Sequence, residues 1–204
     1  MKSWNVGILL FDQVEILDFT GPYEVFGLAV HDRYKPSERS LFNVTTISES
    51  GSLIVAENNL KVTPDYSLAT APAYDLLVIP GGPGVRKGLL NEALVNWVRA
   101  RSGDTPWITS VCTGSLLLAQ TGLLNGKKAT THIDSIDWMR TQHPAIDVID
   151  GVKYVDEDRI VTSGGVACGM HMSLHMVDRL AGREVAEDVS HIMQFETDFD
   201  EYAC

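Results

Sequence analysis

Apolar residues occur in short continuous runs that alternate with helical patterns along the whole chain. The runs at residues 6–11, 42–47, 76–79 and 107–111 are bounded by polar or turn-forming residues, as buried strands are. Strands that are buried on both faces are typical of parallel sheets, because the connecting helices cover both sides. The pattern therefore predicts an α/β fold with a mostly parallel sheet and helices on both faces.

The helical patterns have recognisable ends. Gly21-Pro22 is predicted to open the first helix, since proline is favoured in a first turn. The helix predicted over residues 113–121 ends on Gly122, the residue type expected just past a C-terminus. Further helices are predicted over residues 89–101, 134–142, 168–180 and 183–195. Hairpins are predicted over residues 51–62, at the edge of the sheet, and over residues 152–162.

The composition is that of an ordinary globular protein. Of 204 residues, 45% are hydrophobic and 21% are charged, which predicts one domain over residues 1–204 with a frayed acidic tail over residues 196–204. Sixteen Lys and Arg against 27 Asp and Glu give a net charge of −11. This charge repels nucleic acid and anionic membranes, so we expect neither as a partner.

The cysteines and the N-terminus bear on the location of the protein. Cys112, Cys168 and Cys204 are an odd and sparse set, unlike the disulfide framework of a secreted protein. The N-terminus lacks the pattern of a signal peptide, and no apolar stretch approaches the roughly 20 residues of a membrane span. We therefore expect free thiols and a cytoplasmic protein.

Cys112 lies where a predicted buried strand turns into a helix, in Ser110-Val111-Cys112-Thr113-Gly114-Ser115. Such a turn, a nucleophile elbow, lifts one side chain out of the sheet. The positive end of the helix favours thiolate over thiol, which predicts a lowered pKa and a reactive Cys112. The alternative is a buried cysteine that acts only as a small hydrophobe. Cys168, on an apolar helix, and Cys204, at the end of the tail, are predicted to be unreactive.

The glycines after the strand at residues 76–79 could bind a ligand through the backbone. Ligands of such sheets bind outside the carboxyl ends of the strands, so this segment should face Cys112. No side chain obstructs the Gly82 N–H in Pro80-Gly81-Gly82, and with the Thr113 N–H it could form an oxyanion hole. A tight turn without function is the alternative.

Two side chains near other strand ends could act on the thiol. Asp18 is flanked by apolar residues just before the predicted first helix, and it competes with Glu15 and Glu24 for an acid or base role. A helix-capping carboxylate is the alternative for Asp18. His132 follows a short strand and could reach the thiolate, although an isolated histidine often only satisfies hydrogen bonds.

His171 and His175 are four residues apart on a predicted helix, a spacing that can place two metal ligands on one face. Met172 follows His171, so the metalloprotease pattern with its catalytic glutamate is absent. We therefore expect two histidines on the helix surface and no metal site.

Several segments in one order resemble the ThiJ/PfpI superfamily. They are Leu17-Asp18-Phe19-Thr20-Gly21-Pro22, Ile79-Pro80-Gly81-Gly82, Ser110-Val111-Cys112-Thr113-Gly114, Ala129-Thr130-Thr131-His132 and Thr162-Ser163-Gly164-Gly165. The first and third are similar to the patterns of the isonitrile hydratases of that superfamily. The resemblance implies a flavodoxin-like three-layer sandwich, like that of class I glutamine amidotransferases. It also implies a homodimer that uses no metal or organic cofactor and acts on a small molecule.

The resemblance also implies roles for individual residues. Cys112 is the implied nucleophile, Asp18 the acid–base carboxylate and Thr113 an assisting hydroxyl. Gly82 matches the oxyanion-hole glycine, and His132 matches the base of members that have a hydrolytic triad. The chain departs from the pattern at Ile133, where the superfamily usually has an aromatic residue.

The implied reaction is the hydration of an isonitrile to an N-substituted formamide. The thiolate of Cys112 attacks the isonitrile carbon and forms a thioimidate, which water then hydrolyses. Asp18 delivers the proton to carbon, provided that its apolar surroundings raise its pKa. The alternatives are a hydrolase, peptidase or glyoxalase-type activity with His132 as base, and a redox-sensing or ligand-sensing domain without enzymatic activity.

Overall fold

The fold is built around one large sheet, here described from a computed structural model for residues 3–35 and 40–199. The strands in these ranges are β1 (Trp4–Leu9), β2 (Phe42–Ser48), β3 (Ile54–Val55), β4 (Lys61–Val62), β5 (Tyr66–Ser67), β6 (Leu76–Ile79), β7 (Trp107–Ser110), β8 (Lys128–Ala129), β9 (Asp147–Val148), β10 (Tyr154–Glu157) and β11 (Ile160–Ser163). Seven of them form the sheet in the order β10-β11-β7-β6-β1-β2-β5. All neighbours are parallel except β10 and β11, an antiparallel hairpin at one edge.

Helices cover both faces of this sheet. The α-helices in the described ranges are α1 (Ile16–Leu28), α2 (Val85–Gly88), α3 (Glu92–Asp104), α4 (Gly114–Thr121), α5 (Ile136–Gln142), α6 (Cys168–Ala181) and α7 (Arg183–Met193). One apolar core lies between the sheet and α1, α6 and α7, and the other between the sheet and α3, α4 and α5. None of these helices is long and apolar enough to cross a membrane.

Strand β6 explains why the sequence pattern is continuous rather than alternating. Its residues Leu76 and Val78 belong to the first core, whereas Leu77 and Ile79 belong to the second. Successive side chains of a strand point to opposite faces, so a strand covered on both sides must be apolar throughout. All four residues are fully buried. The predicted three-layer α/β sandwich is therefore confirmed.

The first helix differs from the prediction. It begins at Ile16, whose N–H donates to the Glu15 side chain (3.1 Å), and Pro22 lies inside it. The prediction was wrong because the preference of proline for a first turn is not a requirement, and here tertiary packing outweighs it. A Cβ at Gly21 would lie 2.9 Å from Met170 Cγ of α6, so the two helices pack closely. Asp18 consequently lies within α1 rather than before it.

Three further elements differ from their predicted positions. The helix predicted over residues 89–101 is α3, which begins three residues later at Glu92, where the Asn91 side chain caps it by accepting the Leu94 N–H (3.1 Å), and the sequence analysis missed the short α2 before it. The hairpin predicted over residues 51–62 is present as β3 and β4 but forms a separate two-stranded sheet. The edge of the main sheet is the short β5, which the sequence analysis missed.

The segment after α7 packs back onto the molecule. Thr197 Oγ1 lies 2.7 Å from His171 Nδ1, and the Phe195 ring centroid lies 4.6 Å from that of His171. The Arg183 guanidinium lies 4.8 Å from the Phe199 ring centroid. These contacts hold residues 195–199 against α6 and α7. The rest of the tail that was predicted to be frayed, including Cys204, lies outside the described residues.

Candidate active site

Cys112 connects β7 to α4 at the sharp turn that the sequence predicts. Its φ of 59° lies in the left-handed region, which costs a residue with a side chain about 1 kcal/mol or more. The Cys112 N–H donates to the carbonyl oxygens of Ser163 (3.2 Å) and Gly164 (3.0 Å). Its carbonyl accepts from the hydroxyls of Ser115 and Thr131, both at 3.1 Å. These four bonds hold the strained elbow in place.

Two glycines allow the backbone to close around the elbow. A Cβ at Gly114 would collide with the carbonyl oxygen of Ile79. A Cβ at Gly81 would lie 2.6 Å from the Thr113 nitrogen and 2.9 Å from Asp18 Oδ2. Only glycine fits at either position, so these residues allow the end of β6, the turn after β7 and Asp18 of α1 to lie close together.

Asp18 is fully buried beside the thiol. Its Oδ2 accepts the Gly81 N–H (2.9 Å), whereas Oδ1 has no hydrogen-bond partner among the described residues. The pKa of Asp18 is raised to about 7, mainly by burial and in smaller part by the charge of Glu15, although the Gly81 N–H, the Cys112 thiol and the Val166 backbone act in the opposite direction. A carboxyl group in this setting exchanges a proton near neutral pH.

The pKa of the Cys112 thiol is raised as well. The pKa of Cys112 is raised to about 12, mainly by burial and in part by the charge of Asp18, although hydrogen bonds from Thr113 oppose the increase. The predicted lowering is therefore wrong, because the side chain is only 6% exposed and loss of hydration outweighs the end of the helix. Near neutral pH, Asp18 and Cys112 together hold at least one proton, and its titration belongs to the pair.

Thr113 occupies the place where the sequence predicts an oxyanion hole. The Gly82 N–H donates to Thr113 Oγ1 (3.0 Å) and is therefore not available to a ligand as predicted. The N–H and the hydroxyl of Thr113 both form hydrogen bonds that lower the pKa of Cys112. Thr113 thus supports the sulfur, and the proposed hole of Gly82 and Thr113 is closed in this structure.

His132 lies near the elbow without forming a triad. Its Nδ1 accepts the Asp134 N–H (3.2 Å), and its ring packs against Gly165 so closely that a Cβ there would collide with it. In the described part of the chain, no hydrogen bond joins His132 to Cys112. The connection is indirect, because the neighbouring residue Thr131 donates to the Cys112 carbonyl (3.1 Å).

The two histidines of α6 are held by separate partners. His171 is only 8% exposed and bonds to Thr197, and burial together with the charge of Lys153 lowers its pKa to about 4. His175 Nε2 lies 2.6 Å from Asp156 Oδ2. The prediction of two surface histidines is therefore wrong for His171. Across residues 3–35 and 40–199, no group of three potential metal ligands is positioned to hold an ion.

A cavity of about 300 Å³ adjoins the elbow. Residues 130–133, 150–153 and 164–166 line it, together with Cys168. The backbone of Val166 lies close enough to Asp18 to lower the pKa of that carboxyl slightly. The sequence analysis missed Val166, because nothing in a lone valine indicates its φ of 50°. A larger cavity, about 750 Å³, lies along α7 and the segment after it, and none of the candidate catalytic residues lines it.

Known proteins share both the sequence and the fold. The chain is 33% identical to an isonitrile hydratase of Pseudomonas putida over 191 residues, which cover 94% of this chain and 78% of that protein. It is 30% identical over 192 residues to the HTH-type transcriptional regulator GbdR of Pseudomonas aeruginosa, and it spans about half of that regulator's length (51%).

A solved ThiJ/PfpI family protein from Pseudomonas syringae superposes with a TM-score of 0.85 at 25% identity. The superposition covers 97% of this chain and 77% of that one, and it confirms the predicted flavodoxin-like fold class. Residues 5–179 match the DJ-1/PfpI family as a whole. The elbow at Cys112 and the sheet that carries it are therefore those of a family member: the chain belongs to the DJ-1/PfpI family.

Proposed function

We propose that this protein hydrates an organic isonitrile to the N-substituted formamide, with Cys112 as nucleophile and Asp18 as the group that moves the proton. The observation that carries the proposal is the pair itself, a buried thiol beside a carboxyl whose pKa is about 7. The similarity to the isonitrile hydratase of Pseudomonas putida supports the choice of substrate.

In the first step a base must remove the proton of the thiol, and an acid must protonate the isonitrile carbon. The ionised Asp18 accepts the proton of the Cys112 thiol as sulfur attacks the terminal carbon of the isonitrile. The same proton then passes from Asp18 to that carbon and gives a thioimidate, R–N=CH–S–Cys. Because the thiol pKa of about 12 makes free thiolate rare at neutral pH, attack must be coupled to this transfer.

The second step returns the enzyme to its starting state. As water adds to the thioimidate carbon, Asp18 takes one proton from it and passes this proton to the nitrogen. The hydroxyl of the adduct then gives its proton to Asp18 as the carbon–sulfur bond breaks, the formamide R–NH–CHO leaves, and Asp18 passes this second proton to the sulfur. The net reaction is R–NC plus water to R–NH–CHO, so no oxidant or reductant is required.

Thr113 and Gly81 set the electrostatics of both steps. Thr113 donates to sulfur, which favours the thiolate as it forms. The Gly81 N–H holds Oδ2 of Asp18 and leaves Oδ1 without a partner in the described part of the chain. Oδ1 is therefore the oxygen assigned to proton transfer, since it loses no hydrogen bond when it takes or gives the proton.

The test is turnover of cyclohexyl isocyanide by the purified, reduced protein, followed by mass spectrometry of the product in ¹⁸O-labelled water. We expect N-cyclohexylformamide with one ¹⁸O atom, and loss of this activity to the background rate in Cys112→Ala. Cys204→Ala serves as the control for removal of a thiol and should keep the activity. If the wild-type protein, with Cys112 shown by intact mass to be reduced, forms no labelled formamide, the proposed function is refuted.

A ligand-sensing role is the second candidate. The observation that favours it is the 30% identity to a transcriptional regulator, of which this chain spans about half. A sensing domain binds without turnover, so it predicts saturable binding of a small molecule that is recovered unchanged. The isonitrile assay separates the two candidates, because only the enzyme consumes its ligand.

A further inference from the structure

Glu15 lies at the start of α1, three residues before Asp18, and the two chemical steps give it no role. Its side chain accepts the Ile16 N–H (3.1 Å) and so caps the helix. Asp18 belongs to the first turn of the same helix. The side chain of a capping residue and that of the residue three positions on lie next to each other, as they do in a capping box. The two carboxyl groups are therefore neighbours.

The backbone of Glu15 is tied to the loop that holds Asp18. The Glu15 N–H donates to the Gly81 carbonyl (2.9 Å), and the Gly81 N–H donates to Oδ2 of Asp18 (2.9 Å). The loop packs tightly against this end of the helix, because a Cβ at Gly82 would collide with the Glu15 nitrogen. Gly81 thus bridges the two residues and fixes the position of Asp18 relative to Glu15.

The same bonds take two donors at the helix end away from Asp18. In a capping box, a carboxylate three residues after the capping residue accepts the N–H of that residue. Here the Glu15 N–H donates to Gly81 instead, and the Ile16 N–H donates to the Glu15 side chain. Hydrogen bonds from such donors stabilise the charged form of a carboxyl group. These two donors therefore do not stabilise a charged Asp18.

The charge of Glu15 acts in the same direction as the loss of these donors. A like charge nearby disfavours ionisation, and its effect grows where a group is shielded from water. Asp18 is fully buried, whereas Glu15 is partly exposed. After burial, which is the main cause, the charge of Glu15 also raises the pKa of Asp18. A negative charge at Glu15 therefore helps Asp18 to hold a proton.

The other titratable groups close to Asp18 are thiols. Cys112 at the elbow forms a hydrogen bond with Asp18 that lowers the pKa of the carboxyl. At the start of α6, burial raises the pKa of Cys168, the Lys153 ammonium opposes this, and the charge of Asp18 adds to it. Both thiols have raised pKa values, so neither carries a charge near neutral pH. Among these three neighbours of Asp18, Glu15 is the one that supplies a negative charge.

We infer that Glu15 is a positioning residue of the proposed reaction: it places Asp18 through Gly81, and its negative charge favours the protonated form of Asp18. The inference rests on the proposed function for the reaction that this proton serves. It assigns different roles to the two carboxyl groups at the start of α1, since Asp18 exchanges the proton and Glu15 determines the pH at which it does so.

The test is Glu15→Gln, which removes the charge and keeps a side-chain oxygen that can accept the Ile16 N–H. The protonation of Asp18 is followed by ¹³C NMR, with its signal assigned as the one missing from Asp18→Asn. At pH 7 we expect the ratio of protonated to ionised Asp18 to fall at least about threefold. Two charges about 6 Å apart, the usual spacing of side chains on adjoining helix turns, interact this strongly even in bulk water.

Two further variants separate the charge of Glu15 from its position. Glu15→Asp keeps the charge and a favoured capping residue, so it should retain most of the wild-type ratio. Glu24→Gln is the matched control, because it removes the same charge from an exposed position six residues beyond Asp18 on the same helix. It should leave the ratio unchanged. A ratio that Glu15→Gln does not alter, or that Glu24→Gln lowers equally, would overturn the inference.

The pH profile of the reaction distinguishes this role from that of a helix cap alone. Without the charge of Glu15, Asp18 ionises at lower pH and is a weaker base. For cyclohexyl isocyanide, kcat/KM of Glu15→Gln relative to the wild type should therefore be at least about threefold larger at pH 5 than at pH 9. A lost cap would lower kcat/KM by the same factor at both pH values, and that result would contradict the inference.

The NMR measurement separates this inference from failure of the proposed function. It needs no substrate, so it measures the effect of Glu15 on Asp18 whether or not the protein consumes an isonitrile. If no isonitrile is consumed, the proposed function is refuted, and a threefold fall in the ratio would still establish that Glu15 controls the proton of Asp18. If the isonitrile is consumed and the ratio is unaltered in Glu15→Gln, the proposed function stands and the inference is wrong.

Discussion

The surroundings of Asp18 disfavour the charged carboxylate, whereas those of Asp156 stabilise it. Asp18 has one backbone donor on Oδ2 and none on Oδ1 in the described part of the chain, and burial raises its pKa to about 7. Burial also acts on Asp156, but His175 (2.6 Å) and Arg179 (2.7 Å) outweigh it and lower the pKa of Asp156.

This difference indicates a chemical role for Asp18 and a structural role for Asp156. The ion pairs of Asp156 hold β10 to α6 and keep the carboxylate charged, so it has no proton to exchange near neutral pH. The charged form of Asp18 is destabilised by burial that few partners offset, and this carboxyl lies beside Cys112, whose backbone is strained. Perturbed pKa values without a full set of partners are typical of functional sites.

Asp18→Asn should have the largest effect. The amide keeps the shape and can still accept the Gly81 N–H, but it cannot exchange a proton, so kcat/KM for an isonitrile should fall by about 10²–10⁴. Asp156→Asn is the matched control and should change kcat/KM by less than about twofold, because Asp156 bonds to α6 residues away from the elbow. Comparable losses in the two variants would show that proton exchange at Asp18 is not what matters.

The wild-type protein and Asp18→Asn should differ in how their free energies of unfolding depend on pH. Between the unfolded pKa of 3.8 and the folded pKa of about 7, unfolding of the wild-type protein releases the Asp18 proton, so rising pH favours the unfolded state. The free energy of unfolding of Asp18→Asn, minus that of the wild type, should therefore increase by about 1.4 kcal/mol per pH unit over this window and stay constant above it. Urea titrations at several pH values measure this difference, and parallel stability curves would contradict a raised Asp18 pKa.

Asp156→Asn should lower stability rather than activity. It leaves His175 and Arg179 without their carboxylate, which should cost about 2 kcal/mol at pH 7, between the values typical of exposed and buried ion pairs. Because the folded pKa of Asp156 is lowered, this contribution is present above the unfolded pKa of 3.8 and is lost as the pH falls below it. A destabilisation that persists undiminished at pH 3 would indicate lost packing instead of a lost ion pair.

His132→Ala should lower the activity far less than Asp18→Asn does. For an uncharged isonitrile we expect kcat/KM to fall by less than about tenfold, since no hydrogen bond in the described ranges joins His132 to Cys112 and proton transfer belongs to Asp18. A hydrolase that uses His132 as base would instead lose about 10²–10⁴ in its own reaction. Steady-state rates on cyclohexyl isocyanide and on an ester or glyoxal distinguish the two.

The sequence predicts the features that local pattern controls. The strand Leu76–Ile79 has the predicted bounds because its apolar run is bracketed by turn-forming residues. Helix α4 ends at Gly122, whose φ of 82° requires the residue type from which that end was predicted. The elbow at Cys112 follows because the apolar run that forms β7 leads directly into the helical pattern of α4.

Features that tertiary contacts control were missed. The Gly82 N–H is not free, because it donates to the hydroxyl of Thr113, which lies 31 positions away in the chain. The Cys112 pKa rises instead of falling because the depth of burial, which periodicity does not reveal, outweighs the helix end. The start of α1 at Ile16 depends on packing against α6, and a proline in mid-helix gives the opposite local signal.

Whether Asp18 holds a proton near neutral pH can be measured directly by ¹³C NMR of protein labelled at the aspartate Cγ. The Asp18 signal is assigned as the one missing from Asp18→Asn and is followed from pH 3 to pH 9. An apparent pKa of about 7 is the predicted result, and it would establish the carboxyl as the proton carrier beside Cys112. An apparent pKa at or below the ordinary value of 3.8 would contradict the proposed proton transfer at its first step.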